Sequence, residues 1–427
     1  MDRVSKKTGR SFHPETLALG LGYDPARSEG AVKPPVFLTS TFQFKNSGDG
    51  KEFFQAAYGI KDLPKGKSMG LIYSRLNNPN LEILEERIAA WDQTDKAAAF
   101  ASGMAAISTT MFGILRPGDV VISVRPVYGG THYLLENILP DMGIHAKFVM
   151  AGDGAEDEMR AIAKTLEAEA GRPVVKMLYI ESPANPNNMM TDIKAVVDVA
   201  KDLSTDDREV LVVVDNTFLG PVFQRPSDQG AHVIIYSATK FIGGHSDLVA
   251  GLASGRADII EQVSLYRTIM GTMADPFTAW MMTRSLETVS VRMRRQAKNA
   301  IVLAEILDSH PKVTKVFYPT LFEEGSRQAE IYKNQCTGPG SLIAFEVEGG
   351  EEAAFAVLDS FEIMRLAVSL GGTESLVEHP MRMTHSDIPP EELEEYGVSH
   401  GMIRMSVGIE HINDLKRDLI QALNVLN

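Results

Sequence analysis

Leu211-Val212-Val213-Val214-Asp215-Asn216-Thr217, followed by His232-Val233-Ile234-Ile235-Tyr236-Ser237-Ala238-Thr239-Lys240, decides the fold. The first piece reads as a buried strand that delivers a carboxylate at its end. The second reads as a short apolar strand that delivers two hydroxyls and an amine. Ligands in open α/β sheets sit outside the carboxyl ends of the strands. Asp215 and Lys240 are therefore expected to face one crevice.

Working outward, helices and strands alternate from about Asn77. Residues 79–91 read as a helix with Leu81, Leu84 and Ile88 on one face, and Ser102-Gly103-Met104 opens a second helix. Short strands are expected at 120–123, 174–180, 209–214 and 233–236, with helices at 157–170 and 193–202. This βαβα order predicts a mostly parallel, doubly wound α/β sheet. A long helical pattern at 292–310 then leads into strands at 341–347 and 402–407 and a last helix at 412–426, which reads as a smaller α+β unit. The first residues differ from both. They hold Pro14, Pro25, Pro34, Pro35 and Pro64 and no long periodic segment, so an extended arm packed on a neighbouring subunit is expected. Within it, 46–68 reads as a lid or an inter-subunit contact. The expected organisation is an arm over 1–76, a large domain over 77–290 and a small domain over 291–427.

Composition narrows the function. The 427 residues are 44% hydrophobic and 23% charged, as in ordinary globular proteins. A net charge of −14 without a basic run argues against nucleic acid or an anionic membrane as partner. One cysteine, Cys336, excludes an intrachain disulfide and a cysteine-rich metal site. His379, His385 and His400 lack helical metal-ligand spacing, so no metal is expected. No stretch approaches the ~20 apolar residues of a membrane span, and Met1-Asp2-Arg3 opens no secretory signal. The default reading is a cytoplasmic protein.

Several residues carry chemistry. An aldehyde cofactor held as a lysine Schiff base needs an amine and an acidic partner for its pyridinium nitrogen; Lys240 and Asp215 can supply them, or be a surface lysine and a strand-end turn aspartate. Ser237 and Thr239 place hydroxyls for a phosphate. Ser102-Gly103-Met104 offers backbone N–H groups at a helix start, which suit the same anion but equally suit a plain N-cap. Tyr128, before Gly129-Gly130, can stack on the cofactor and relay protons, or simply pack in a turn. Arg404 can grip a substrate carboxylate with two parallel hydrogen bonds, or form a cross-strand ion pair.

Together these segments resemble the cysteine and methionine metabolism family of pyridoxal-phosphate enzymes. The resemblance runs through Tyr73-Ser74-Arg75-Leu76-Asn77-Asn78-Pro79, Ser102-Gly103-Met104, Tyr128-Gly129-Gly130-Thr131, Glu181-Ser182-Pro183-Ala184-Asn185-Pro186, Val214-Asp215-Asn216-Thr217, Ser237-Ala238-Thr239-Lys240, Val368-Ser369-Leu370-Gly371 and Arg404-Met405-Ser406-Val407-Gly408. It implies fold type I of the pyridoxal-phosphate enzymes, with pyridoxal 5'-phosphate as cofactor. It implies that Tyr73 and Arg75 reach the phosphate of a neighbouring subunit, so that active sites are shared within a dimer and dimers pair into a homotetramer. Gly103, Met104, Ser237 and Thr239 match the other phosphate positions. Tyr128 matches the stacking residue, Asp215 the ring partner, Lys240 the Schiff-base lysine, and Ser369 and Arg404 the carboxylate positions.

The implied reaction is γ-elimination from a sulfur amino acid, as in methionine γ-lyase, giving 2-oxobutanoate, ammonia and a thiol. Cystathionine γ-lyase, or γ-replacement as in cystathionine γ-synthase or O-acetylhomoserine sulfhydrylase, is the alternative, and a pyridoxal-phosphate aminotransferase a more distant one. Two positions bear on the choice. Methionine γ-lyases typically carry cysteine where Gly130 stands. Cystathionine enzymes typically carry an arginine within the stretch that here reads Thr131-His132-Tyr133-Leu134.

Overall fold

The computed structural model describes residues 2–57, 59–62, 70–386 and 388–426. Its larger sheet has seven strands: β1 (Lys96–Phe100), β2 (Val120–Arg125), β3 (His145–Met150), β4 (Val175–Glu181), β5 (Leu211–Asp215), β6 (Val233–Ser237) and β7 (Gly251–Gly255). Their order is β1-β7-β6-β5-β4-β2-β3. The run from β6 to β3 is parallel throughout, and β7 lies antiparallel between β6 and β1. The second sheet holds β8 (Val313–Phe317), β9 (Leu342–Val347), β10 (Arg365–Leu366), β11 (Leu376–Glu378) and β12 (Met402–Ser406), in the order β10-β11-β12-β9-β8. The expected mostly parallel sheet with a smaller α+β unit is what forms.

The apolar run at the end of β5 has a packing reason. Side chains alternate across a strand. Val212 and Val214 enter the core shared with Met159, Ala163, Val196 and Val197 of helices Ala155–Ala170 and Ile193–Leu203. Leu211 and Val213 enter the opposite core, with Ala106, Ile107 and Met111 of helix Gly103–Ile114. Both faces are covered, so both must be apolar.

The helix expected at 292–310 spans Val289–Asp308. Val289, Met293 and Ala297 pack into a core with Phe241 and Leu286, whereas Ala300, Leu303, Ala304 and Leu307 pack with Ile343, Phe345 and Met405 of the second sheet. One helix thus belongs to two cores.

The arm departs from expectation. Pro14–Gly20 is a helix, and its Leu17 and the following Leu21 bury against Ala90 of helix Pro79–Asp92. Leu17 and Leu21 are one helical turn apart, a short apolar stripe that its own chain covers. Further along, the Asn80 side chain donates to the Pro35 carbonyl at 2.8 Å, and the Trp280 indole donates to the Pro34 carbonyl at 3.0 Å. Within 46–68, Ser47–Ala57 is a helix rather than a loop. Asn46 caps it by accepting from the Asp49 amide at 2.9 Å, and Phe53 and Phe54 pack on Phe44. Residues 63–69 lie outside the described residues.

Behind β6 and β7 sits a wholly buried acid. Asp92 accepts from the Tyr236 hydroxyl at 2.6 Å and from the Ser254 hydroxyl, and Tyr236 in turn accepts from the Asn216 amide at 3.1 Å. Burial pushes the Asp92 carboxyl up to about 6, against the pull of those two hydroxyls. The folded chain therefore holds this proton more tightly than the unfolded chain. The resulting stabilisation is fully present below pH ~4 and is lost as pH rises through ~6, an effect of about 3 kcal/mol. Asp92→Asn is expected to remove this step. Denaturant melts at pH 4.5 and 7.5 check it: between those values the variant should gain stability relative to the parent chain, and parallel changes would refute the assignment.

Candidate active site

The strands deliver their terminal residues to one cavity of about 300 Å³, within the size range of small-ligand sites. Its lining draws Ser102, Gly103 and Met104 from the end of β1, Tyr128 from beyond β2 and Glu181 from β4. Asp215 comes from β5, and Ser237, Thr239 and Lys240 from β6. The loop before β11 adds Ser369, and β12 adds Arg404. Nine of the eleven residues singled out from sequence converge here. Tyr73 and Arg75 do not. They line a separate groove with Phe42, Phe44, Leu265 and Ile269, and Arg75 donates to the Thr268 carbonyl at 2.6 Å.

The Lys240 amine donates to the Ser369 hydroxyl at 2.8 Å. Burial, assisted by the charge of Arg404 and opposed by Glu378, brings this amine down to about 8. It therefore sheds its proton far more readily than a surface lysine. Gly371 fixes the approach of the two segments. Its φ is +78°, and a Cβ there would lie 2.7 Å from the Phe241 amide nitrogen and 3.0 Å from the Lys240 carbonyl carbon. Gly371→Ala is expected to cost about 2–4 kcal/mol of stability, from left-handed strain and backbone overlap. A denaturant midpoint matching the parent chain's would show that the segments yield.

Asp215 is buried, and burial raises its carboxyl above the usual range. Oδ1 accepts from the Thr217 amide at 3.0 Å and hydroxyl at 2.6 Å, and Oδ2 accepts from the Tyr179 hydroxyl at 3.4 Å. These partners are neutral, so the carboxylate waits for a cation. A protonated pyridine nitrogen supplies one.

The phosphate end is equally suited. Helix Gly103–Ile114 points its first amides at the cavity, with Ser102 capping it through the Ala105 amide at 3.0 Å. A Cβ on Gly103 would sit 2.9 Å from the Ser237 side chain, so the cradle closes only around glycine. Backbone amides, a helix N-terminus, and the Ser237 and Thr239 side chains together suit a phosphate dianion. The buried acid, the desolvated amine and this cradle fit pyridoxal 5'-phosphate.

Arg404 combines both sequence readings. It lines the cavity, and it pairs across the strands with Glu378, Nη2 to Oε1 at 2.8 Å, both side chains almost fully buried. It also donates to Asn185 Oδ1 at 3.0 Å and to the Ser369 carbonyl at 3.1 Å. Sequence reading passed over Glu378 because its link to Arg404 is a register relation between strands. An acid closing the short apolar run Leu376-Val377 is the signal that was available. Thr217, Tyr179 and Asn185 were likewise given no role. Removing Arg404 would strand a buried carboxylate, so Arg404→Ala is expected to lose about 3–5 kcal/mol of stability as well as amino-acid affinity. Melting and KM measured together test this, and an unchanged KM would take Arg404 out of the substrate site.

The family model described as Cys/Met metabolism PLP-dependent enzyme matches residues 15–424. The L-methionine gamma-lyase of Pseudomonas deceptionensis is 37% identical, over 98% of this chain and 98% of that protein. The cystathionine beta-lyase of Bacillus subtilis is 37% identical, over 97% of each. A crystal structure of cystathionine gamma synthase from Xanthomonas oryzae, in complex with cystathionine, superposes with a TM-score of 0.85 at 32% identity, covering 97% of this chain and 98% of that one. Likeness of this extent, joined to a cavity shaped for that cofactor, places the chain among the Cys/Met metabolism PLP-dependent enzymes.

Proposed function

We propose that the chain eliminates the γ-substituent of a sulfur amino acid such as methionine, taking up water and releasing 2-oxobutanoate, ammonia and a thiol. The observation that carries this reading is the buried Lys240 amine, which shares one cavity with the Asp215 carboxylate, the Tyr128 ring and the Arg404 guanidinium. The full-length likeness to L-methionine gamma-lyases supports it.

Arg404 and Ser369 hold the substrate carboxylate. Asp215 keeps a proton on the ring nitrogen, Tyr128 stacks on the ring, and Gly103, Met104, Ser237 and Thr239 hold the phosphate. When bound, pyridoxal phosphate accepts the electrons left on Cα. Lys240 Nζ takes the Cα proton, a Cβ proton follows, and the Tyr128 hydroxyl returns a proton to the departing sulfur. Tyr73 and Arg75 of one protomer complete the phosphate site of another. The groove they line also presents exposed Leu265 and Ile269, apolar surface that a second copy would cover. The minimum working unit is then a dimer, and dimers pair into a homotetramer.

Two local features bear on the substrate. A Cβ at position 130 would lie 2.8 Å from the Tyr128 ring and 2.9 Å from the Met104 sulfur. A cysteine at this position would require both to move, so Gly130 is matched to the Tyr128 placement seen here. No arginine lies in 131–134 to hold a distal carboxylate, which favours a short substrate over cystathionine. The test is 2-oxobutanoate release by purified protein with pyridoxal phosphate, given methionine, cystathionine or O-acetylhomoserine singly and then with a thiol. Release from methionine alone is expected. Thioether formation from activated homoserine, without release from methionine, would establish replacement instead.

A further inference from the structure

Glu181 lies at the end of β4, directly beside Asp215 in the sheet register. It is almost fully buried and lines the cavity, yet the tasks above leave it unused. Its Oε2 accepts from the Tyr128 backbone amide at 2.9 Å, and the Asn185 amide also donates to the carboxyl. Tyr128 follows β2 on a short loop, its side chain is partly exposed, and Glu181 ties its backbone to the sheet.

We propose that Glu181 is a positioning residue: as a neutral carboxyl it tethers the Tyr128 loop to β4 and leaves Asp215 as the single negative charge beneath the cofactor ring.

Two adjacent buried carboxyls do not both ionise. Burial, and next the charge of Asp215, raise Glu181 well above the usual carboxylate range. Asp215 accepts three hydrogen bonds, from the Thr217 amide and hydroxyl and from the Tyr179 hydroxyl, and these favour its charged form. The proton shared by the pair is therefore assigned to Glu181. The charged and titratable groups facing it are Asp215, Arg404 and Tyr179: Asp215 favours the proton, while the Tyr128 and Asn185 backbone amides, and after them Arg404, oppose it. A neutral acid suits the tether, because its carbonyl oxygen still accepts from the backbone amides. Glutamine offers the same oxygen and the same shape without a charge.

The inference rests on the Tyr128 assignment under the proposed function, and the test separates the two. With the holoenzyme and methionine, Glu181→Ala is expected to lower kcat about 100-fold through misplacement of the Tyr128 hydroxyl, while visible absorbance shows the cofactor still bound. Glu181→Gln is expected to recover most of that loss. In a Tyr128→Phe background, Glu181→Ala is expected to lower kcat by less than about threefold more, since both changes remove one function. A Gln variant as poor as Ala would overturn the neutral tether, as would a full additive loss in the Phe background. Tyr128→Phe with parental kcat would instead defeat the Tyr128 assignment and the inference with it. If Glu181→Ala fails to fold, the Gln variant decides alone: a kcat more than about tenfold below the parent's overturns the proposal.

Discussion

Lys240→Ala is expected to lower turnover by about 10⁴-fold, the largest effect of any single substitution in the cavity. Two losses coincide. On the proposed function the amine both carries the cofactor and takes the Cα proton. Its position makes replacement by a neighbour impossible: Arg404 keeps its protons, and the Tyr128 hydroxyl belongs to the departing sulfur. The surrounding structure survives the change, since among the described residues the amine's hydrogen bond is to the Ser369 hydroxyl, and Gly371 still packs on the backbone of residue 240. The measurement is 2-oxobutanoate release beside the visible absorbance of bound cofactor. Turnover within tenfold of the parent chain would mean that another base does the work and would remove Lys240 from the chemistry.

Asp215→Asn is expected to cost about 10²- to 10³-fold in turnover, through loss of a fixed charge facing the reacting system. An amide does not hold a proton on a pyridine nitrogen, and an unprotonated ring draws electrons from Cα less well. The same substitution should not weaken the fold. Asp215 is a buried acid whose described partners are the neutral Thr217 and Tyr179, and burial alone already pushes its carboxyl upward. Asparagine keeps an acceptor for both Thr217 donors and removes a desolvated charge. The apo protein should therefore melt no earlier than the parent while its turnover collapses. A fall in both, or in neither, would contradict the role given to Asp215.

Sequence reading reached strands with sustained apolar runs and passed over β3 and β8, where Lys147 and Lys315 interrupt the run. The parallel strands β2, β4, β5 and β6 stood out as runs of valine, isoleucine and leucine. β1 and β7 did not, because Lys96-Ala97-Ala98-Ala99-Phe100 and Gly251-Leu252-Ala253-Ser254-Gly255 are small-residue segments made into strands by pairing with each other and with β6. The site followed the same division. Asp215, Ser237, Thr239 and Lys240 share two strand ends and could be seen together. Glu378 and Glu181 could not be given roles, since each acts on a residue distant in sequence, Arg404 in one case and Tyr128 in the other. Tyr73 and Arg75 were legible as part of a motif, but nothing in one chain brings them to the cavity.

The helix Val289–Asp308 makes the distance between Lys240 and Arg404 a mechanical property of the whole chain. Its first half is seated in the core beneath Lys240 and its second half in the core behind Arg404. Such a rod acts as a ruler: a shift or tilt imposed at either end is carried to the other with little loss, because close-packed interiors are stiff. The spacing between Lys240 and Arg404 is thereby calibrated far from the cavity that both residues line.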